Sequence, residues 1–537
     1  MSLSRPARGV AAVTAAVTTA ALIATSTAGV AEAKKPNVNK ASKQFQKSVT
    51  IKGVQQHLAA FQQIADDNDG TRASGTPGYQ ASRDYVVGKL RAAGYKPTVK
   101  AFDFAYFEET SPGTLARVSP DPRPFVIDDE FDVMDYSGSG TAQAAVTVVD
   151  TQLTRTETST SGCETADFAG FPAGNIALLQ RGTCDFAVKA ANAEAAGATA
   201  VIIFNTGVGG NTAAVAGTLG APDLVGIPVV GASFAAGNDL LGEGVTGRVA
   251  VDTISENRET YNVIAETGTG DPDNVVMVGA HLDSVLAGPG INDNGTGSAG
   301  ILAVAEGMAK VRTANKVRFA WWGAEEEGLL GAEYYVADLV EKDELDRVGL
   351  YLNFDMIGSP NFGRFVYDGD NSAFPVGPDA AAGPEGSGQI EQDFHDYFAS
   401  VGLASGETAF SGRSDYGPFI AEGVPAGGLF TGAEGIKTPE QAALFGGVAG
   451  APYDACYHAA CDDTNNLSIE ALDQLSDAVA HLTVTYASST FAVNGAGTPV
   501  KGKGKKDRFE GNPLGGGTES GGGLHPEHDH DHEVADR

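Results

Sequence analysis

The residues of this chain best suited to chemistry are a histidine and several acids that follow runs of apolar sequence. His281 closes the run Val275-Val276-Met277-Val278-Gly279-Ala280, and an acid, Asp283, follows two residues later. Acid-bearing segments come next: Gly290-Ile291-Asn292-Asp293-Asn294-Gly295, then Trp322-Gly323-Ala324-Glu325-Glu326-Glu327, then Asn353-Phe354-Asp355-Met356. Outside a C-terminal tail, the other histidines are His57, His395, His458 and His481. A histidine at a strand end with a carboxylate behind it is arranged as a metal ligand, and the acids around it point to a site for two divalent cations.

Zn²⁺ takes neutral imidazole and carboxylate ligands, and a two-metal site needs one group able to bridge. His281, Asp293, Glu326, Asp355 and His458 supply two imidazoles and three carboxylates. Three negative charges against two Zn²⁺ leave one positive charge, which a bound hydroxide neutralises. No thiolate belongs to the set, so the chemistry is hydrolytic and not that of a closed structural site. Spacing alone does not say which of Glu325, Glu326 and Glu327 is ligand and which is base.

The elements that must position these residues alternate between apolar strands and helices from 258 to about 490. The pattern implies an α/β fold with a mostly parallel central sheet flanked by helices. Val275–Ala280, Val317–Trp321 and Leu350–Phe354 read as strands, each ending at or just before an acid or histidine. Ligands bind outside the carboxyl ends of strands in such sheets, so residues far apart in sequence converge there. Helices are predicted from Gly295 to about Val311 and from about Leu330 to Leu339. Upstream, Val54 to Ile64 is amphipathic and Tyr79 to Ala93 reads as a helix closed by Gly94. The Pro- and Asp-rich stretch 110–135 is taken as a boundary.

Residues 131–255 form a smaller α/β unit with strands at Ala144–Val149, Asn175–Gln180, Thr199–Phe204 and Ile227–Val230, and a helix from Phe186 to Ala196. This segment resembles the protease-associated domain through Gly174-Asn175-Ile176-Ala177-Leu178-Leu179-Gln180-Arg181-Gly182-Thr183-Cys184, Ala196-Gly197-Ala198 and Ile227-Pro228-Val229-Val230-Gly231. The resemblance implies a non-catalytic insertion that shapes substrate access. The N-terminal part of the main domain is then 34–130 and its remainder 256–493.

Both ends of the chain read as segments outside the fold. Arg5 and Arg8 precede an Ala/Val/Thr/Leu-rich run, and Ala31-Glu32-Ala33 offers small-x-small cleavage, so 1–33 is read as a secretory signal peptide. Residues 494–537, rich in Gly and His, read as a disordered tail. No later segment is apolar enough to span a bilayer, so a secreted, extracellular protein without membrane attachment after signal cleavage is expected. Cys163 with Cys184 and Cys456 with Cys461 form two local pairs, read as disulfides. A net charge of −32 argues against nucleic acid or an anionic membrane surface as partner.

The metal-capable segments, taken together, resemble the bacterial secreted leucyl aminopeptidases. The motifs are His281-Leu282-Asp283-Ser284, Ile291-Asn292-Asp293-Asn294-Gly295, Trp322-Gly323-Ala324-Glu325-Glu326, Asn353-Phe354-Asp355-Met356-Ile357-Gly358, Gly412-Arg413-Ser414-Asp415-Tyr416-Gly417-Pro418-Phe419 and Cys456-Tyr457-His458-Ala459-Ala460-Cys461-Asp462. These are di-zinc exopeptidases, and the likeness covers roughly 48–110 and 255–490. It implies two Zn²⁺ per chain, with Asp293 bridging, His281 and Asp355 on one ion, and Glu326 and His458 on the other. Glu325 matches the general base that works with a metal-bound hydroxide, and Tyr457 the donor to the tetrahedral oxyanion. Arg413 matches a residue near the substrate carbonyl. Met356, Gly412 and Phe430 match the pocket for an apolar, leucine-like N-terminal residue.

Within that frame Asp283 is an outer group orienting His281, Asp415 a similar group or a cap, and Glu327 helix surface. His57, His395 and His481 are read as surface or packing residues. Some relatives bind calcium through paired acids such as Asp473 and Asp477, but the completing acid is Ser48 here, which leaves that site short of a ligand. The expected partners are peptides, and the expected state is a monomer. Two other readings share the features: a carboxypeptidase or dipeptidase on the same fold, and a non-catalytic receptor-like protein.

Overall fold

The computed structural model describes residues 38–150 and 158–496. The segment expected to be a signal peptide, 1–33, and all but the first residues of the expected tail, 494–537, lie outside them. Four parallel strands form the centre of the main sheet, in the order Ala426–Phe430, Val348–Phe354, Asp271–His281 and Asn315–Trp322. Phe365–Tyr367 and then Gly406–Thr408 extend one side, and Thr246–Glu266 flanks the other as an antiparallel neighbour.

The apolar runs are continuous because both faces of these strands are covered. Val276, Val278 and Ala280 pack with helices Ile51–Asp66, Pro77–Ala93, Gly297–Met308 and Ile469–Ser488 on one face. Val275 and Met277 pack on the other face with Ala332, Tyr335, Val336 and Leu339 of helix Leu330–Glu341. Helix Ile51–Asp66 starts where the Thr50 side chain accepts a hydrogen bond from the Gly53 amide, and it buries Val54, Leu58, Phe61 and Ala65 along one stripe. Helix Pro77–Ala93 has Thr76 as its N-cap and ends at Gly94, whose φ of 106° needs a residue without a Cβ.

Three expected boundaries move. Residues 110–119 are not a break: one strand runs Thr98–Ser119 and pairs antiparallel with Thr246–Glu266 from Thr98↔Ile264 to Ser119↔Thr246. Pro112 is tolerated because it falls in the bulge between Ser111 and Thr114, where the ladder asks for no N–H. The strand expected at Ile227–Val230 lies at Val229–Ala232, since Pro228 can accept but not donate. The helix expected after Gly295 begins at Gly297, behind a wide turn over Ile291–Thr296.

The long two-stranded ribbon carries the chain into the inserted unit. There Gly140–Val148, Ile176–Gln180, Ala200–Phe204 and Val229–Ala232 form a parallel sheet, with Phe131–Val133 antiparallel at its far edge. Both expected disulfides are formed, Cys163–Cys184 and Cys456–Cys461, and no cysteine is left free.

His481 ties helix Ile469–Ser488 to helix Val38–Gln46 through Ser42 Oγ, 2.5 Å from its Nδ1, and its ring lies 4.7 Å from that of Tyr397. Burial, reinforced by Lys43, lowers its pKa from 6.5 to about 4. The folded chain thus binds this proton less readily than the unfolded chain does. The associated stability is present above the unfolded value and is lost as pH falls from about 6.5 towards 4. Its ceiling is about 3 kcal/mol. In thermal melts over that range, His481→Gln is expected to show a shallower loss of Tm on acidification than wild type.

Candidate active site

Parallel pairing brings the strand ends to one edge of the sheet. His281 is the last residue of its strand, Asp355 directly follows Phe354, and Glu325 and Glu326 lie in the turn after Trp322. Asp293 comes from the wide turn Ile291–Thr296, and His458 from the loop closed by Cys456–Cys461. The backbone is forced at several of these joins: Ala324, Met356 and His458 have φ of 54°, 50° and 54°. Such conformations persist only where surrounding structure holds them, and they cluster at functional sites.

His281 Nε2 lies 3.2 Å from Asp293 Oδ1 and 3.3 Å from Asp355 Oδ1. His458 Nε2 lies 3.3 Å from Asp293 Oδ2 and 3.0 Å from Glu326 Oε2. Each oxygen of Asp293 therefore faces a different imidazole. Ligand atoms about 2.0–2.2 Å from a tetrahedral ion are roughly 3.3 Å apart, so the spacing fits two adjacent cations sharing one carboxylate. Glu325 Oε2 stands a little farther off, 3.8 Å from His281 Nε2. Glu326 Oε1 is buried and makes no hydrogen bond, as expected of a group whose partner is an ion.

A second layer fixes these groups. Asp462 accepts the backbone N–H of Asn292 and of Asp293, both at 2.9 Å, one on each carboxylate oxygen. Ser414 Oγ donates to Asp355 Oδ2 at 2.6 Å. Asp283 Oδ1 lies 3.5 Å behind His281 Nδ1. The fully buried Arg72 donates to the carbonyls of Leu282, Pro289 and Gly290, pinning the segment between His281 and Asp293. Arg72 and Asp462 have no role assigned by sequence reasoning; a basic residue beside Gly70-Thr71 and an acid after Cys461 carry no recognisable signal alone.

Two sequence readings change. Glu327 is not helix surface: it stands in the turn ahead of helix Leu330–Glu341, its carboxyl facing Asp283 and its Oε2 buried without a hydrogen bond. The chain reverses there before the helix begins, so helical periodicity does not apply to it. Asp415 caps nothing, since both its oxygens are buried without hydrogen bonds. Of the remaining histidines, His57 contacts Tyr85 and Glu306 in the core. Asp473 and Asp477 share a helix face, and no further His, Cys, Asp or Glu joins them at metal-binding spacing among the described residues.

Burying so many acids together has an electrostatic cost. Burial lifts Glu326 to about 7, with the Asp293 charge adding to the effect, and pushes Glu325, Glu327 and Asp415 well above the usual carboxylic range. Burial disfavours protonating the imidazoles, but the surrounding carboxylates outweigh it, so His281 rises far above its ordinary value and His458 reaches about 10. Divalent cations binding here would compete with protons for these groups. Tyr457, raised above the usual tyrosine range by burial and then by Asp293 and Glu326, keeps its proton at neutral pH.

The acids open into a cavity of about 310 Å³ also lined by Met356, Phe365, Tyr367, Phe430 and Tyr453. Arg413 and Tyr457 line it too, with Arg413 Nη2 donating to the Tyr457 hydroxyl at 3.2 Å and Nη1 to Glu434 at 2.7 Å. Gly412 is not on the wall; its N–H donates to the Tyr416 hydroxyl at 2.9 Å beneath it. Phe365, Tyr367 and Tyr453 lie on short strands and loops whose sequence announces no pocket.

The chain is similar to known proteins. A family model described as Peptidase family M28 matches residues 262–483, and a PA domain model matches 144–240. An aminopeptidase of Pseudomonas aeruginosa is 49% identical over 451 residues, covering 82% of each chain. Leucine aminopeptidase 2 of Trichophyton tonsurans is 40% identical over 450 residues, covering 83% of this chain and 86% of that one. Among solved structures, the aminopeptidase from Aneurinibacillus sp. strain AM-1 aligns with a TM-score of 0.57 at 27% identity, over 83% of this chain and 96% of that one. A zinc aminopeptidase from Bacillus subtilis shares the fold, with a TM-score of 0.53 at 24% identity over 82% of this chain and 97% of the other. Kinship across so much of the chain, with metal-capable side chains gathered at the strand ends, makes this protein a member of peptidase family M28: a metallo-aminopeptidase with an inserted PA domain.

Proposed function

We propose that the chain is a secreted di-zinc aminopeptidase that removes apolar, leucine-like N-terminal residues from peptides. The observation that carries the two-ion reading is the division of Asp293 between His281 and His458. Asp355 completes the first ligand set and Glu326 the second, a donor set of imidazoles and carboxylates suited to Zn²⁺. When bound, paired Zn²⁺ ions lower the pKa of an attacking water and polarise the scissile carbonyl.

The chain's own residues do the rest. Glu325 takes the proton of the attacking water and returns it to the departing amine. Its enclosure raises its affinity for that proton. The Tyr457 hydroxyl, kept protonated by burial and the nearby acids and oriented by Arg413, donates to the carbonyl oxygen as negative charge develops there. Met356 and Phe430, together with Phe365 and Tyr453, give the apolar surface for the N-terminal side chain.

Arg413 argues for an amino-terminal and not a carboxyl-terminal cut. Among the described residues it is the one cationic side chain on the cavity wall, and Glu434 already neutralises it, so a peptide's terminal carboxylate finds no free cation among them. Buried acids instead favour an ammonium group. Export is supported by the basic N-terminus and its Ala-rich run, and by two disulfides. Among the described residues no helix is long and apolar enough to cross a membrane.

Purified protein is expected to cleave leucine p-nitroanilide, to lose that activity together with its zinc on dialysis against a chelator, and to regain both when Zn²⁺ is restored; activity that survives complete zinc removal overturns the metal role. N-acetyl-leucine p-nitroanilide is expected to resist cleavage, and preference for this blocked substrate would refute the amino-terminal reading. Glu325→Gln is expected to lower kcat by about 10²–10⁴-fold with zinc content unchanged, measured by steady-state kinetics beside mass-spectrometric metal analysis.

A further inference from the structure

A second metal-capable cluster lies beside the substrate cavity, apart from the strand-end acids. Helix Ser387–Ser400 places Glu391 and His395 one turn apart, and the edge strand Gly406–Thr408 brings Glu407 against them. His395 Nε2 is 3.8 Å from Glu391 Oε1 and 3.9 Å from Glu407 Oε1. The three donor atoms lie within 4.8 Å of one another. Glu407 also forms part of the cavity wall.

Three further features favour an ion there over a packing contact. His395 Nε2 is buried yet makes no hydrogen bond, while Nδ1 lies 2.7 Å from Ser405 Oγ. With Nδ1 turned to that hydroxyl, Nε2 faces the two carboxylates, the orientation of a metal ligand whose other ring nitrogen is held. Glu391, 6% exposed, uses Oε2 to accept the N–H of Gly369 at 2.8 Å and of Asp370 at 3.2 Å, which fixes the carboxylate with Oε1 facing His395. Spacings of 3.8 and 3.9 Å exceed a hydrogen bond. They exceed by only a few tenths of an ångström the roughly 3.3–3.6 Å that separates two ligands of a tetrahedral ion at about 2.0–2.2 Å, a gap that small side-chain shifts close on binding.

We propose that Glu391, His395 and Glu407 form a further divalent-cation site, of the Zn²⁺ class, on the wall of the substrate cavity. One imidazole and two carboxylates leave a fourth position to water. The ion neutralises Glu407 where the cavity wall is otherwise acidic, and it ties the three-residue edge strand to the neighbouring helix. The site does not depend on the catalytic pair, and its zinc is counted in addition to any held there.

The test compares wild type, His395→Gln and Glu407→Gln, each loaded with Zn²⁺ and freed of excess by gel filtration, with zinc per chain measured by mass spectrometry and folding checked by circular dichroism. Each variant is expected to hold one zinc fewer than wild type with an unchanged spectrum. Tail histidines occur in all three proteins and drop out of the difference. Equal counts in wild type and both variants overturn the site, and so does a loss confined to one variant. A failure of the two-zinc catalytic reading lowers all three counts alike and leaves the difference of one intact, so the two proposals fail separately.

Discussion

The site rests on one carboxylate that must serve two imidazoles. Asp293 can do so only if its backbone is held still, and the group that holds it is Asp462. Asp462 directly follows Cys461, which closes the loop carrying His458. The loop that delivers one imidazole thus also clamps the turn bearing the shared acid. On the other side Arg72 fastens the segment from Leu282 to Gly290, so the register between His281 and Asp293 is fixed from both ends. A displacement of either loop alters both halves of the site together.

Charge is the second constraint. Asp283, Asp293, Glu325, Glu326, Glu327, Asp355 and Asp415 crowd a region whose fixed buried cation is Arg72. Burying unpaired charge costs several kcal/mol per ion. Burial raises the proton affinity of Glu325, and the surrounding carboxylates raise that of His281 and His458, so the cluster favours any cation that can compensate it. Asp415 shows how far this goes: it is a carboxyl kept without any hydrogen bond of its own.

What the sequence made legible follows from where each residue sits. His281, Asp355 and Glu325 with Glu326 could be found because each follows an uninterrupted apolar strand, a pattern that survives without any knowledge of tertiary structure. His458 lies in an irregular loop: residue chemistry offers it as an imidazole ligand, and only the likeness to a known family says which ion it would hold. Helical periodicity misplaced Glu327, because the chain turns back before the helix begins. Phe365, Tyr367 and Tyr453 reach the cavity from short elements at the edge of the sheet, where no local pattern distinguishes a pocket wall from core. His395 reads as surface or packing because Glu407, which faces it from a strand, becomes its neighbour only in the fold. The ribbon was hidden by Pro112, whose turn-like chemistry conceals a bulge in a strand that carries on.

That ribbon has a consequence for how such a chain can be assembled. The inserted unit departs and returns along two strands hydrogen-bonded to each other, so its entry and exit stay side by side whatever lies beyond them. To the peptidase sheet, the whole insertion is the tip of a hairpin. The entropy of closing such a loop grows only slowly with its length, so a unit of this size can be lengthened, trimmed or exchanged at the ribbon's far end with little demand on the strands that carry the chemistry. The architecture keeps an accessory module evolutionarily negotiable while the metal-binding edge of the sheet stays fixed.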